Sequence, residues 1–388
     1  MCFHNDKQMF MAERIKILQI IGRMDRGGVE TWLMHILRKI DRDQYQLDFL
    51  VHTNQPAAYD EEILQLGARI LPCLSPRRPL RYARRLQRIL QEEGPYDVVH
   101  SHVHHYSGWT LRVAAQAKVP IRIAHSHTSS LRTKTSIPRH CYYRLMEHWI
   151  DRHATLGLAA SRKAAASLWG KDWYTDKRWR ILYCSIDLKP YEQLTCNSTM
   201  RVTLGIPANS LILGYVANFI PAKNHAFLIE IMHELVKRSH QIYLLLIGDG
   251  PLRSDIEKLA LLQGIRDRII FLGIRQDVPS ILMNCVDVFI SPSLYEGLPV
   301  SVLEAQAAGL PVIISEAVTH EVEVIPELFT WLSVAQPSTD WATACLTAGS
   351  QTRKITQQNA VQILTHSPFN IQRGIEEIET VYAADKHA

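Results

Sequence analysis

Two glutamates, Glu296 and Glu304, bracket the stretch Ser291-Pro-Ser-Leu-Tyr-Glu-Gly-Leu-Pro-Val-Ser-Val-Leu-Glu-Ala-Gln-Ala-Ala-Gly-Leu-Pro311. Carboxylates accept hydrogen bonds from hydroxyls. Between them Pro292 and Gly297 break the chain, and Pro299 stands where the first turn of a helix tolerates proline. Val302, Leu303 and Ala307 then read as a helix that Gly309 and Pro311 end. A helix start offers unpaired backbone N–H groups to an anion. The preceding run, Val286 to Ile290, reads as a buried strand. In a parallel α/β protein, ligands bind in loops at the carboxyl ends of strands. The chemistry suits a ligand that carries both a phosphate and several hydroxyls, as a nucleotide sugar does.

Other chemistry-bearing residues fall at comparable places. Lys223-Asn224 opens a helix, Gly248-Asp-Gly-Pro251 follows an apolar strand, and Gly27-Gly28 lies between a strand and a helix. The spacing around Gly27 and Gly28 is not Gly-x-Gly-x-x-Gly, so no dinucleotide site is expected there. The glycines instead let backbone approach a phosphate or sugar closely, or simply form a tight turn. His100, His102, His104 and His105 follow one strand, and His125 and His127 end the next. Alternating histidines can bind zinc, but no cysteine or carboxylate stands at ligand spacing, so no metal is expected. They read as hydrogen-bonding or acid–base groups facing a ligand, or, for any one of them, as a core or capping histidine. Asp41-Arg-Asp43 reads as a surface turn.

These residues need strands and helices to carry them, and the chain supplies two successive βα arrays. The fold class expected is α/β, with two Rossmann-like domains. Residues 1–190 form the N-terminal domain and 191–366 the C-terminal one. Cys184 to Thr203 reads as a polar linker, and a last helix at about 367–388 is free to pack on either domain. A length of 388 residues fits two cores. Hydrophobic content of 47% and charged content of 21% are those of a soluble globular protein. No run is long and apolar enough for a membrane span, and Met1 to Glu13 reads as a loose polar leader. Seven unpatterned cysteines fit reduced cytosolic thiols.

The net charge of +5 is uneven: residues 1–200 carry 30 Lys and Arg against 19 Asp and Glu, and the remainder is acidic. On the helix from about Pro79 to Glu93, Arg81, Arg84, Arg85 and Arg88 share one face. Leu80, Ala83, Leu86 and Leu90 are expected on its buried side. Such a helix suits an anionic membrane surface or a solvated outer face. No nucleic-acid partner is indicated.

Taken in order, these motifs resemble the retaining glycosyltransferases of family 4, whose GT-B architecture has two facing Rossmann-like domains with an interdomain cleft. Glu296 to Glu304 fits the family's Glu-x7-Glu motif. Val216-Ala-Asn-Phe-Ile-Pro-Ala-Lys-Asn224, Ile247-Gly-Asp-Gly-Pro251, Phe271-Leu-Gly273 with Asp277-Val-Pro279, and Gly309-Leu-Pro311 stand in the family's order. Gly27-Gly-Val-Glu30, Asp97-Val-Val-His-Ser-His102 and His125-Ser-His-Thr128 are similar to the subgroup that builds bacterial capsule and exopolysaccharide repeat units.

The resemblance implies roles. Glu296 would hold the donor sugar's hydroxyls, with Gly297 and Leu298 beside it, and Glu304 would hold the ribose. Lys223 would neutralise the diphosphate leaving group, a task metals perform elsewhere. Gly27 and Gly28 would face that diphosphate from the other domain. Asn218, Gly248, Gly250, Leu272 and Arg275 complete the implied donor site. His125 would act near the reacting sugar, with His102 and His127 on the acceptor side. In place of the family's Gly-Arg pair stand Ala217 and Asn218, so Arg275 or Arg23 would have to supply the missing cation. The implied reaction is a front-face displacement rather than the paired-carboxylate chemistry of glycosidases. The expectation is therefore a cytosolic, metal-independent and cofactor-free transferase, peripheral at the inner membrane face. It would move a hexosyl or N-acetylhexosaminyl unit from a UDP-sugar to a lipid-linked oligosaccharide. The alternatives are a soluble acceptor, a catalytically silent GT-B subunit that binds nucleotide for a partner, and a nucleotide-sugar epimerase. The last should carry acid–base carboxylates where this chain has histidines.

Overall fold

The computed structural model describes residues 14–74, 77–129, 136–193, 199–239 and 241–383. The leader Met1 to Glu13 lies outside them, as does the middle of the expected linker. Seven strands form the first sheet: β1 (Ile15–Ile21), β2 (Tyr45–Val51), β3 (Arg69–Pro72), β4 (Val98–Ser101), β5 (Ile121–Ser126), β6 (Leu156–Ala159) and β7 (Trp179–Ile181). Six form the second: β8 (Leu211–Val216), β9 (Ile242–Ile247), β10 (Ile269–Gly273), β11 (Val288–Ser291), β12 (Val312–Ser315) and β13 (Phe329–Leu332). Every pairing is parallel, in the orders β3-β2-β1-β4-β5-β6-β7 and β10-β9-β8-β11-β12-β13. The near-continuous apolar strands follow from this, because helices cover both faces of a parallel sheet. The strand order reverses between β1 and β4 and again between β8 and β11, which are the points where such sheets bind ligands.

Several elements depart from the sequence expectation. The start of the linker is not solvated: Cys184, Ile186, Leu188 and Tyr191 are buried and join the two cores. Beyond Pro311 the chain makes β12, the edge strand β13, and helices Ser338–Ser350 and Gln357–Thr365, none of which the reading above resolved. Their signals are weak, since β12 and β13 are four residues each and the first of those helices is rich in Thr and Ala. On helix Pro79–Glu92 the buried side chains are Tyr82, Leu86, Ile89 and Leu90, whereas Leu80 is 70% exposed. At 100° per residue, Leu80 lies about 160° around the helix from Tyr82, next to the arginine face rather than opposite it. No described helix is long and apolar enough to cross a membrane.

The last helix, Ile371–Ala383, returns to the first domain. Ile186 N–H donates to Phe369 O at 2.8 Å and Ile371 N–H to Ile186 O at 3.0 Å. The helix then runs along β1, and Tyr382 bonds the side chain of Gln19. The domains also meet at their loops. A Cβ added to Gly297 would overlap the carbonyl of His127, and one added to Gly28 would touch the Val300 side chain at 3.6 Å. Ser129 Oγ donates to the Glu296 carbonyl across the same junction. Overpacking of this kind costs about 1–3 kcal/mol. Gly297→Ala is therefore expected to push the domains apart, raising the radius of gyration in small-angle scattering. Binding of a ligand that bridges the two domains should weaken roughly ten- to hundredfold, while the far-ultraviolet spectrum stays unchanged. An unchanged radius and affinity would show that the contact gives way without opening the cleft.

Candidate active site

Between the domains lies a cleft of about 680 Å³, lined from the first domain by Arg26–Thr31, Arg38, Tyr59, Glu62 and His127, among others. The second domain contributes Asn218, Lys223, Gly248, Arg275, Glu296, Leu298 and Glu304, among others. Two helices begin on its opposite walls. Helix Gly28–Lys39 starts after Gly27, and helix Val300–Ala307 starts after Pro299; neither N-cap side chain bonds the first turn. The first N–H groups of a helix have no intrahelical acceptor, and the dipole adds partial positive charge there. Facing each other across one cleft, the two ends make a place for an anion.

On the second wall, Lys223 Nζ lies 2.5 Å from Glu296 Oε1, and Ser293 Oγ donates to the same oxygen at 2.8 Å. The other carboxylate oxygen is thereby left to accept from a ligand hydroxyl. The pair is held from both ends. Tyr215 OH donates to Lys223 O at 3.1 Å and lies 2.8 Å from Ser293 Oγ. Asn224, left-handed at φ +54°, turns its amide to Pro292 O at 3.2 Å, and Leu294 N–H donates to Ala222 O at 2.8 Å. The loops after β8 and β9 are pressed together. Gly248 has φ +132°, and a Cβ there would overlap the Ala217 carbonyl, so only glycine fits.

Two carboxyls in the cleft are held above their usual range. Burial pushes Glu304 up to about 7. Burial, with a smaller contribution from the nearby Asp25 charge, does the same for Glu30, against the opposing bond to its own backbone N–H. Glu30 stands in the first turn of helix Gly28–Lys39.

The histidines divide. His127 lines the cleft, but His125 is fully buried behind it and does not. The cleft-facing position expected of His125 is held by His127 instead, because side chains two apart on one strand face differ in depth. His102 does not line the cleft either; it is part-buried, 2.8 Å from His127. Burial, helped by neighbouring imidazoles, lowers all of them well below the usual range, with His127 at about 3. They are neutral at working pH. Nitrogens of His100, His102 and His125 lie within 4.8 Å of one another, which is the cluster among the described residues that could hold a metal. Each of the three also hydrogen-bonds a neighbouring side chain.

The remaining expected residues are spread. Asn218, Gly248, Arg275, Leu298, Gly27 and Gly28 line the cleft; Gly250, Leu272 and Gly297 do not, Gly297 being pressed on the His127 backbone. Arg275 is forked onto Asp277 at 2.8 and 2.7 Å. Arg23 pairs with Asp25 at 2.9 Å and stays outside the lining.

Two family models match the chain: Glycosyltransferase Family 4 over residues 26–190, and Glycosyl transferases group 1 over residues 197–348. The putative glycosyltransferase EpsF of Bacillus subtilis (strain 168) is 36% identical over 375 residues, spanning 95% of this chain and 96% of its own. The chain belongs to glycosyltransferase family 4. The transferase is also 23% identical to the capsular polysaccharide biosynthesis glycosyltransferase CapH of Staphylococcus aureus, over 95% of this chain and 98% of that one. It is 28% identical over 241 residues to an Escherichia coli enzyme, UDP-Gal:alpha-D-GlcNAc-diphosphoundecaprenol alpha-1,3-galactosyltransferase, over 59% and 60% of the two chains. Anabaena Alr3699/HepE, solved in complex with UDP and glucose, shares its fold at TM-score 0.78 and 18% identity, over 96% of this chain and 100% of that one. The two facing domains are the GT-B architecture.

Sequence reasoning missed several residues of the transferase's cleft and of its support. Arg26, stacked 4.7 Å over the Tyr59 ring, makes no ion pair among the described residues, unlike Arg275. Its signal was a cation directly before Gly27 at a helix start. Glu30, at the glutamate position of a capping box, was legible for the same reason. Tyr215 and Ser293 carried no such signal, because their role appears only when β8 and β11 pair. The raised Glu304 carboxyl has a testable sign. It binds its proton more tightly in the fold than when unfolded, so stability falls as pH climbs from 4.5 to about 7, on the order of 1.4 kcal/mol per pH unit. Glu304→Gln cannot ionise. Its melting temperature should match that of the parent near pH 5 and exceed it by several degrees at pH 8, measured by scanning calorimetry. Parallel curves would show that the Glu304 carboxyl is not held above its usual range in the fold.

Proposed function

We propose that the transferase moves a hexosyl or N-acetylhexosaminyl unit from a UDP-sugar to a lipid-linked oligosaccharide in surface polysaccharide synthesis. Transfer would retain the anomeric configuration and need no metal. The observation that carries this reading is the pair of helix N-termini on opposite walls of one cleft, neither bonded by its N-cap side chain, with Glu296 and Lys223 beside them. The diphosphate would lie between the two helix starts, near Lys223 and Arg26. Arg26 would supply the cation that Asn218 does not. Glu296 and His127 would meet the sugar hydroxyls, and Glu304 the ribose. As the phosphate bond lengthens, charge grows on the leaving oxygen, where Lys223 and the N–H groups stabilise it. On the same face the acceptor hydroxyl would pass its proton to that oxygen.

The donor class is supported by the UDP and glucose in the Alr3699/HepE complex, and the acceptor class by the diphosphoundecaprenol in the name of the Escherichia coli relative. A panel of nucleotide sugars tests the reading. One UDP-sugar should be turned over with a lipid-linked acceptor, at a rate unchanged by chelator. Glu296→Ala and Lys223→Ala should each lower kcat/KM by roughly a hundredfold or more with the fold intact. Binding without turnover would favour the silent nucleotide-binding subunit, and a rate that needs added divalent ion would remove the role given to Lys223.

The acceptor's lipid calls for a surface, and the exposed Arg81, Arg84, Arg85 and Arg88, with Leu80 beside them, offer one. Each basic residue near an anionic bilayer contributes about 1 kcal/mol. Replacing the four arginines by glutamine is therefore expected to abolish co-sedimentation with phosphatidylglycerol vesicles while sparing transfer to a water-soluble acceptor. Equal co-sedimentation would make this helix ordinary surface.

A further inference from the structure

The histidines of the first sheet form a hydrogen-bonded chain whose protons can be placed from one amide. Gln19 on β1 pairs with His100 on β4, which pairs with Ile123 on β5. Alternate residues of a strand return to the same side, so Gln19, His100, His102, His125 and His127 share one face of the sheet. That face is covered by Trp32, edge-on to His125 at 5.3 Å, and by Tyr382 of the last helix.

Gln19 Oε1 lies 2.8 Å from His102 Nε2, and Gln19 Nε2 donates to Tyr382 OH at 2.7 Å. An amide oxygen only accepts, so His102 Nε2 carries a hydrogen and His102 Nδ1 a lone pair. His127 Nε2, 2.8 Å from that lone pair, must donate to it. His127 Nδ1 is then unprotonated and accepts from the Cys184 thiol at 3.5 Å, a weak bond that a ligand hydroxyl can replace, since both residues line the cleft. The second branch runs the other way. Tyr382 OH accepts from Gln19 and donates to His100 Nδ1 at 2.9 Å, and His100 Nε2 donates to His125 Nδ1 at 3.0 Å. His125 Nε2 is left with a hydrogen turned to the Leu182 carbonyl, too poorly aligned for a full bond.

Turning the Gln19 amide over would reverse every donor in both branches. It would set the His125 Nε2 lone pair against the Leu182 carbonyl in a buried place, where two facing acceptors are costly. One orientation is therefore favoured, and with it one tautomer at the cleft. We propose that Gln19 and Tyr382, neither of which lines the cleft, are positioning residues that hold His127 as its Nε2–H tautomer, so that its Nδ1 meets a ligand hydroxyl only as a hydrogen-bond acceptor. The identity of that hydroxyl rests on the function proposed above; the tautomer does not.

Long-range 1H–15N correlation on protein labelled at histidine reads the tautomer directly. In the parent, His127 should show protonated Nε2 and unprotonated Nδ1. Gln19→Leu removes the amide that sets the direction, and Tyr382→Phe removes only the hydroxyl that holds the amide, with little risk to folding. In both variants His127 should move to averaged shifts of exchanging tautomers, and KM for the donor should rise roughly three- to tenfold with a smaller change in kcat. A parent His127 protonated at Nδ1, or shifts unmoved in both variants, would overturn the proposal. So would stoichiometric zinc in the purified protein, because the nitrogens of His100, His102 and His125 would then be ligands rather than links in the chain. If the tautomer behaves as expected but no nucleotide sugar is turned over, the assignment of Gln19 and Tyr382 stands and the donor reading falls.

Discussion

The geometry of this cleft depends on one close approach, the backbone at Gly297 against the carbonyl of His127. The first domain alone offers a strand end with one imidazole, His127, at the cleft, and the second a loop with a carboxylate. Neither is a site for a ligand carrying both phosphate and sugar. With no Cβ at 297, the Glu296 loop rests on the end of β5, and the Ser129 hydroxyl reaches the Glu296 carbonyl. The same approach brings Val300 within touch of Gly28, so that two helix N-termini open onto one volume. A doubly wound sheet binds at its switch point. Here two switch points face each other, and a glycine sets how closely.

Within that frame the Lys223–Glu296 pair is built to exchange partners rather than to stabilise. Their side chains are 20% and 10% exposed, and an ion pair this sheltered is worth little net, while removing one member strands the other. On the proposed reading, a diphosphate would take over Lys223 as the sugar hydroxyls take over Glu296, so neither charge is left alone at any stage. The bonds from Tyr215, Ser293 and Asn224 keep both groups in place during such an exchange, because they act on the backbone and on Oε1 rather than on the freed lone pairs.

What the sequence disclosed follows the range of each signal. The strand–loop–helix around Glu296 and Glu304 and the lysine before its helix are local patterns, and the structure brings Lys223 and Glu296 into contact. The two domains were legible because strand and helix alternate twice. The depth of a histidine was not. His125 and His127 look equivalent as an alternating pair, and only the register of β5 with its neighbours shows that one is walled off. Gln19 and Tyr382 were invisible for a stronger reason. They are separated by 363 positions and meet because the last helix crosses back through the Ile186 bridge. Leu80 misled because an apolar residue in a basic helix was taken for the buried stripe, whereas Tyr82 anchors the stripe on the opposite side.

The choice of imidazole at this place has an electrostatic reason. A hydroxyl beside an anionic diphosphate needs an acceptor, and the usual strong acceptor, a carboxylate, would repel the phosphate it stands near. A histidine in water near neutral pH would be partly cationic and could lose its acceptor role to a proton. Burial removes that charge at His127, and a chain of bonds of fixed direction removes the ambiguity between its two nitrogens. On the proposed reading, the result is an uncharged acceptor beside the bound diphosphate. Burial acts on Glu30 and Glu304 in the same sense, holding both near the point where they lose their charge. Glu296 differs in its partners: Lys223 and Ser293 both bond its Oε1, which leaves the second oxygen to accept from a sugar hydroxyl on the proposed reading.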